Sequence, residues 1–215
     1  AWAEPPATFD QAKRIARDVI YAGHHETIYC RCRFEPKGAS GGIIDPASCG
    51  IEPRKDAQRS TRLEWEHATP AAWFGRTRSC WTDGDPGCVD SHGKAYRGRK
   101  CCVKVDAWFR HAEADLHNLF PAAGELNGDR KDKPYGDIPG EERRYGVCDF
   151  EVSANAAEPR EEVRGELARA ILFMDRTYGP FLTDELRQRY QAWSDGDPPD
   201  DWELERERRI EPFSK

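Results

Sequence analysis

An α+β fold is the class that this 215-residue sequence predicts: a single mixed domain over 1–215, with flanking helices and long disulfide-stapled loops. Three observations lead there. Helical apolar periodicity is concentrated near the two ends of the chain. Short runs of strand length occupy the middle. Eight cysteines lie largely among loops rich in Gly, Pro and charge.

Taken in order, Thr8 with Gln11 forms a capping box, Phe9, Ala12, Ala16, Val19 and Ile20 recur at helical spacing, and Gly23 closes that helix. Ile28 to Phe34 alternates like a strand carrying two half-cystines. Residues 35–60 read as an irregular loop. Leu63 to His67 predicts a short strand, Pro70 to Phe74 a turn or short helix, and 75–104 a long loop that only cross-links could order. Phe109 to Phe120 resumes the structured core. Pro159 sits at a helix N1 position followed by Glu161 and Glu162, and Val163, Leu167, Ile171, Met174 and Tyr178 make the buried stripe that Gly179-Pro180 stops. Thr183 caps a further helix through Trp193, and Trp202 to Ile210 forms a last charged turn or two. The tryptophans are expected in the core.

Composition narrows the function classes. Mean hydropathy is −0.87, and no apolar run approaches the roughly 18–20 residues that span a bilayer. Seven Trp, nine Phe and seven Tyr argue against a disordered chain. The N-terminal Ala1-Trp2-Ala3-Glu4-Pro5-Pro6 has neither a basic nor an apolar segment, and reads as an end from which any export signal is already gone. The formal charge is −6, but ten acidic and five basic residues fall between Thr183 and Glu211, so the rest is nearly neutral. Arginine outnumbers lysine, 24 to nine, and arginine grips phosphate with two parallel bonds. A basic cleft on an acidic body is therefore compatible with the charge.

An even number of cysteines suits disulfides, whereas zinc prefers CxxC knuckles with spaced His partners, which are absent here. Cys30, Cys32, Cys49 and Cys148 form one set, and Cys80, Cys88, Cys101 and Cys102 a tight local one. The expected compartment is oxidising, either periplasm or exterior.

Three polar islands carry chemistry: Arg62-Leu-Glu64-Trp65-Glu66-His67, Glu113-Ala-Asp115-Leu-His117-Asn118-Leu-Phe-Pro121, and Glu125-Leu-Asn127-Gly128-Asp129-Arg130. A hard oxygen ligand beside an imidazole suits Mg²⁺, which takes few protein ligands and keeps its waters, with His67 as general base. On a regular strand, neighbours face opposite ways, so an adjacent Glu-His pair is ordinarily one buried and one solvated residue. Glu66 and His67 share a site only where the strand ends, as Ala68-Thr69-Pro70 allows. Arg97-Gly98-Arg99-Lys100 by itself reads as a solvated basic loop.

Together with Pro70, Phe74-Gly75, the YCxC segment at 29–32, Cys49-Gly50, Tyr145-Gly146-x-Cys148 and Trp202-Glu203, these islands resemble the bacterial endonuclease I family, periplasmic or secreted nucleases of the ββα-metal (His-Me finger) superfamily. The resemblance implies a ββα motif at about 63–130. His67 is then the general base at the end of its first strand, Glu66 and Asn127 hold one Mg²⁺ with Mn²⁺ or Ca²⁺ as substitutes, and Arg99 contacts the scissile phosphate. Glu113 helps protonate the leaving group through water, Asn118 fixes the loop that orients His67, and His117 is left unassigned. Two departures are an insertion around Asp83–Gly98 with extra half-cystines, and the absence of cysteines after Trp202. Pairings are accordingly expected within each cysteine set. The implied enzyme is a monomer without a membrane partner. It cleaves DNA, and RNA as well, through backbone contacts with little sequence specificity, leaving 5′-phosphate ends. Its charge predicts a salt-shifted activity. The alternatives are a catalytically silent extracellular nucleic-acid-binding module, and a disulfide-stapled adhesion or inhibitor domain.

Overall fold

The computed structural model describes residues 4–140 and 142–214. The chain end Ala1-Trp2-Ala3, read above for an export signal, lies outside the described residues. Helix α1 (Phe9–Ile15) begins where expected, with Thr8 Oγ1 accepting from the Gln11 amide at 3.2 Å while Gln11 Oε1 accepts from the Ala7 amide at 2.9 Å. It continues into a π-helical turn at Ala16–Ile20, buries Ala12, Ala16 and Ile20, and gives way at Gly23, whose φ is +76°.

Residues 28–34 are not the strand that their alternation predicts. Arg31 takes φ +54°, which breaks the pleat, and Cys30 and Cys32 are tied to Cys148 and Cys49. The alternation reflects two disulfides rather than a sheet. The strand comes later: β1 (Phe34–Lys37) pairs antiparallel with β2 (Gly41–Ile44), inside the stretch read as irregular loop, and α2 (Ala57–Ser60) follows, capped by Asp56. Gly and Pro residues there mark a hairpin rather than disorder.

Strand β3 (Leu63–His67) and helix α3 (Ala71–Gly75) match expectation. Residues 75–104 hold two short helices instead of one loop, α4 (Ser79–Thr82) and α5 (Arg99–Val105). Disulfides Cys80–Cys102 and Cys88–Cys101 tie them together, and the four half-cystines pack with Phe74, Phe109, Ala112 and Met174 in a second hydrophobic cluster. All eight cysteines are paired within the two expected sets, which leaves no thiolate for zinc.

Helix α6 (Ala107–Glu113) and a 3₁₀ turn at Leu116–Asn118 lead into β4 (Leu119–Ala123), and α7 (Gly124–Arg130) follows β4 with no linker. β4 runs antiparallel to β3, with Leu63 opposite Ala123 and His67 opposite Leu119. The pair is packed on both faces, so Glu66 and His67 are both buried, at 1% and 8% exposure. β5 (Phe150–Val152) pairs with β6 (Ala157–Pro159). Pro159 thus ends a strand and is not the helix N1 residue its sequence suggests. As an edge residue its missing N–H costs nothing, and a 3₁₀ turn at Glu161–Val163 separates it from α8 (Arg164–Tyr178). Helix α9 (Asp184–Gly196) is capped by Thr183, and the last segment is a full helix, α10 (Asp201–Ile210). Trp65 is buried, whereas Trp73, Trp81, Trp108, Trp193 and Trp202 are half-buried, their indoles spread along the margins of the two clusters rather than inside them.

The result is a mixed α+β molecule in which the described strands form three two-stranded sheets. Among the described residues no helix is long and apolar enough to cross a membrane. Helix α10 is locked onto the start of β4 by Arg206, 1% exposed, which donates to Tyr21 Oη at 3.0 Å and to the carbonyls of Leu116 and His117 at 3.0 and 3.1 Å. Its charge lies 3.9 Å from Glu166 Oε1, an atom with no hydrogen-bond partner among the described residues. Burial, opposed by Arg206, pushes the Glu166 carboxyl up to about 7 from 4.5. A raised carboxyl pKa means that the fold takes up a proton more readily than the unfolded chain. Its stabilising contribution is full below about pH 4.5 and is lost as pH rises through about 7. Glu166→Gln should therefore raise the melting temperature relative to the parent more at pH 8 than at pH 5, as thermal denaturation at the two pH values would show.

Candidate active site

The end of β3, the start of α5 and the middle of α7 converge on a cavity of about 500 Å³. Glu66, His67, Arg99 and Asn127 all line it, together with Glu64, Phe9, Lys13 and Lys131. Residues as far apart in sequence as Glu66 and Asn127 thus share one concavity. Glu113 and Asn118 do not line it: Glu113 holds His67 and Arg99, which do, and Asn118 holds the turn that follows β3.

His67 is fixed by its partner. Nε2 lies 2.8 Å from the backbone oxygen of Glu113, and a carbonyl only accepts, so Nε2 carries the proton and Nδ1 keeps its lone pair. The Phe9 ring packs against the imidazole at 4.7 Å between centroids. Burial first, then the Arg99 charge, push the imidazole down to about 3, so the ring is a neutral base at ordinary pH. Asn118, fully buried, brackets the turn after β3: its Oδ1 accepts from the Thr69 amide at 2.6 Å and its Nδ2 donates to the Thr69 carbonyl at 3.0 Å.

Arg99 is not in a solvated loop. It is the first residue of α5, preceded by Gly98 at φ +84°, a conformation that favours glycine. Cys101 and Cys102, two and three residues on, anchor that helix through both disulfides of the local set. The Arg99 guanidinium pairs with the buried Glu113 carboxylate and lies 5.3 Å from the centre of the Phe9 ring. Glu113 therefore serves two neighbours, Arg99 through its side chain and His67 through its backbone.

Glu66 is buried against Arg130, whose Nη1 donates to Glu66 Oε1 at 2.5 Å and to the His67 carbonyl at 2.7 Å, while Nη2 donates to the Ala68 carbonyl at 2.7 Å. Burial raises the Glu66 carboxyl, with Arg130 opposing. The Tyr135 ring stacks under the guanidinium at 4.3 Å. Asn127 donates from Nδ2 to Glu64 Oε2 at 2.9 Å, leaving its carbonyl oxygen as the atom available to a ligand. Glu64 is itself gripped by Arg59 and Arg62. Burial would raise its carboxyl, but these guanidiniums hold it below the usual carboxylate range. Arg59 reaches Glu64 across Gly128, where a Cβ would stand 2.2 Å from the guanidinium.

The arrangement offers a neutral base, a cation and two hard oxygen donors within one cavity. The sequence profile of the Endonuclease I family matches residues 8–215. The chain belongs to that family. It is 42% identical to an extracellular deoxyribonuclease of Aeromonas hydrophila over 206 residues, covering 94% of this chain and 84% of the relative. It is 41% identical to a periplasmic deoxyribonuclease of the same species over 92% and 79% of the two chains. It is 37% identical to Endonuclease-1 of Buchnera aphidicola subsp. Acyrthosiphon pisum over 94% and 75%.

Sequence reasoning missed several cavity groups of this endonuclease I chain. Phe9 and Lys13 were legible only as one turn of a helix, and nothing local points α1 at His67. Arg130 closes the third island and Tyr135 follows it, but a charged residue in a polar run gives no sign of complete burial. His117 stands apart, bonded to Asp115 Oδ1 at 2.8 Å and packed on Phe173. Removing the guanidinium in Arg130→Ala leaves Glu66 as an unpaired buried charge and frees two strand-end carbonyls. A loss of about 3–5 kcal/mol is expected, read from the urea midpoint.

Proposed function

We propose that this chain is an exported endonuclease that hydrolyses phosphodiester bonds of DNA, and of RNA as well, with little sequence specificity. Family membership and extracellular or periplasmic deoxyribonuclease relatives support nucleic acid as substrate and export as destination. One observation carries the chemistry: His67 Nδ1 is an unprotonated base beside Arg99 in a cavity that Glu66 and Asn127 also line. The reading takes 1–215 as a single nuclease domain acting as a monomer, with β3, β4 and α7 as a ββα motif of the His-Me finger type.

A divalent cation fits the donors. A carboxylate and an amide oxygen are hard ligands. No cluster of three His, Cys, Asp or Glu among the described residues could cage an ion more tightly, so the remaining coordination falls to water and substrate phosphate, as Mg²⁺ prefers; Mn²⁺ and Ca²⁺ suit the same oxygens. Bound by Glu66 and Asn127, the ion would supply Lewis-acid stabilisation of charge on the phosphate and the departing 3′ oxygen.

The chain's own residues do the rest. His67 Nδ1 takes a proton from the attacking water as its oxygen bonds to phosphorus. Glu113 holds the ring through Nε2, so the basic nitrogen keeps its direction. Arg99 offsets the second negative charge that builds on the phosphoryl oxygens, and its pairing with Glu113 sets its position in advance. The P–O3′ bond breaks, and the 3′ oxygen collects a proton by way of water near Glu113, leaving 5′-phosphate and 3′-hydroxyl ends. Attack by external water needs no 2′-hydroxyl, so deoxyribose and ribose chains both qualify. A silent binding module would have no use for a base held in one tautomer.

His67→Ala should cut plasmid hydrolysis by about 10²–10⁴-fold while leaving oligonucleotide affinity within a few-fold, and chelator should stop the parent enzyme. Unchanged cleavage by the variant would remove this mechanism. The net charge of −6 repels DNA over distance most strongly in dilute salt, whereas short-range phosphate contacts weaken in concentrated salt. Cleavage rates across a NaCl series should therefore peak at moderate to high salt; a steady fall from dilute buffer upward would contradict this.

A further inference from the structure

Next to the catalytic cavity lies a second one of about 790 Å³, and Lys131 lines both. The second cavity is bordered by Arg54, Lys55, Lys133 and Arg144 as well, against the carboxylates of Asp129, Glu142 and Glu151. This is a local cationic surplus on a molecule of net charge −6. The positive groups are only partly neutralised, Arg144 by the exposed Glu142 at 3.5 Å. Asp129 is shared between Lys55 and Arg54, the latter at 3.7 Å, and its Oδ2 further accepts from Tyr145 Oη at 2.7 Å. Lys133 spends its protons on the backbone carbonyls of Asp129 and Arg130, at 2.8 and 3.4 Å. The exposed Lys131 side chain has no ion-pair partner among the described residues. Burial, and then the Lys131 charge, lower the Lys133 ammonium, with Asp129 and Asp132 opposing.

The residues are placed by the same helix that carries Asn127, the proposed metal ligand. Asn127 lies in α7, and Lys131 caps its C-terminus at φ +57°, so the chain turns out of the first cavity at the point where the second begins. Arg54 and Lys55 are held over α7 by their backbone amides, which donate to the buried Glu125 carboxylate at 3.0 and 2.7 Å. These side chains sit on a rigid backbone, not on a free loop.

We propose that this second cavity is a phosphate-binding track for the same nucleic-acid strand, gripping backbone phosphates beyond the scissile one, with Lys131 as the link and Arg54 and Arg144 as the outer contacts. The track rests on the nuclease reading, and it adds where the strand runs. Its contacts are to backbone charge rather than bases, which positions a strand without reading sequence.

The test measures binding without cleavage. A fluorescein-labelled single-stranded DNA of about 12 nucleotides is titrated with the full chain in chelator, on the high-salt side of its binding maximum, by fluorescence anisotropy. Arg54→Gln and Arg144→Gln, alone and combined, change exposed or partly exposed side chains outside the core. The combined variant should bind about fivefold to twentyfold more weakly, and its log affinity against log salt should flatten by about 0.7 for each lost contact. Arg208→Gln, which removes one positive charge from α10 as each single variant does from the track, should change neither quantity. Unaltered affinity and slope in the combined variant, or an equal loss in Arg208→Gln, overturns the track. Because no catalysis is read, absence of cleavage by the parent protein with Mg²⁺ would sink the nuclease reading by a separate measurement.

Discussion

One buried ion pair organises the end of the β3–β4 ladder in this protein. Arg130 joins the last residues of β3 to the end of α7, bonding the Glu66 carboxylate and the carbonyls of His67 and Ala68. A two-stranded ladder leaves many carbonyls without partners, and inside a protein an unpaired carbonyl is costly. Here guanidinium groups supply the missing donors: Arg130 at the end of β3, and Arg206 at the Leu116 and His117 carbonyls ahead of β4. Such pairs add little net stability, because each charge must leave water, but losing one partner is severe. Their value lies in fixing where the strand end points. That is the condition under which two neighbouring strand residues, Glu66 and His67, border the same cavity.

A second constraint acts from the other side of the cavity. Arg99 belongs to a segment with little apolar content of its own, residues 75–104, whose order comes from cross-links. Cys101 and Cys102 fasten the first turn of α5 to Cys88 and Cys80, and the buried Glu113 carboxylate holds the guanidinium. The Arg99 guanidinium is thus set by covalent and ionic anchors, while the His67 imidazole is set by a backbone carbonyl and an aromatic ring. Each group is held by the fold itself, the condition that preorganised electrostatics requires.

Charge is distributed with the same division of labour. The acidic excess sits in the C-terminal helices, α9 and α10, and the surplus cations gather around α7 and α5. A protein can therefore be acidic in sum and still carry a local cationic surplus.

Much of this could be read from the chain alone. Thr8 and Thr183 announced helix starts because a cap is a local hydrogen bond. The strand at 63–67, the stripe of α8 and the tight local set of cysteines at 80–102 likewise needed only near neighbours. The three polar islands pointed to His67, Glu66, Asn127, Glu113 and Asn118 because their residue types and order carry a family's pattern, and Arg99, between the islands, was singled out only by the resemblance to that family. What misled was also local: alternation at 28–34 came from cysteines that pair at long range, and Pro159 looked like a helix start although a distant strand claims it. Which tautomer His67 holds, that Arg130 is buried, that Phe9 covers the imidazole and that Lys131 joins two cavities were decided only by the fold. Each depends on groups remote in sequence meeting at a few ångströms, and no pattern of neighbours encodes such a meeting.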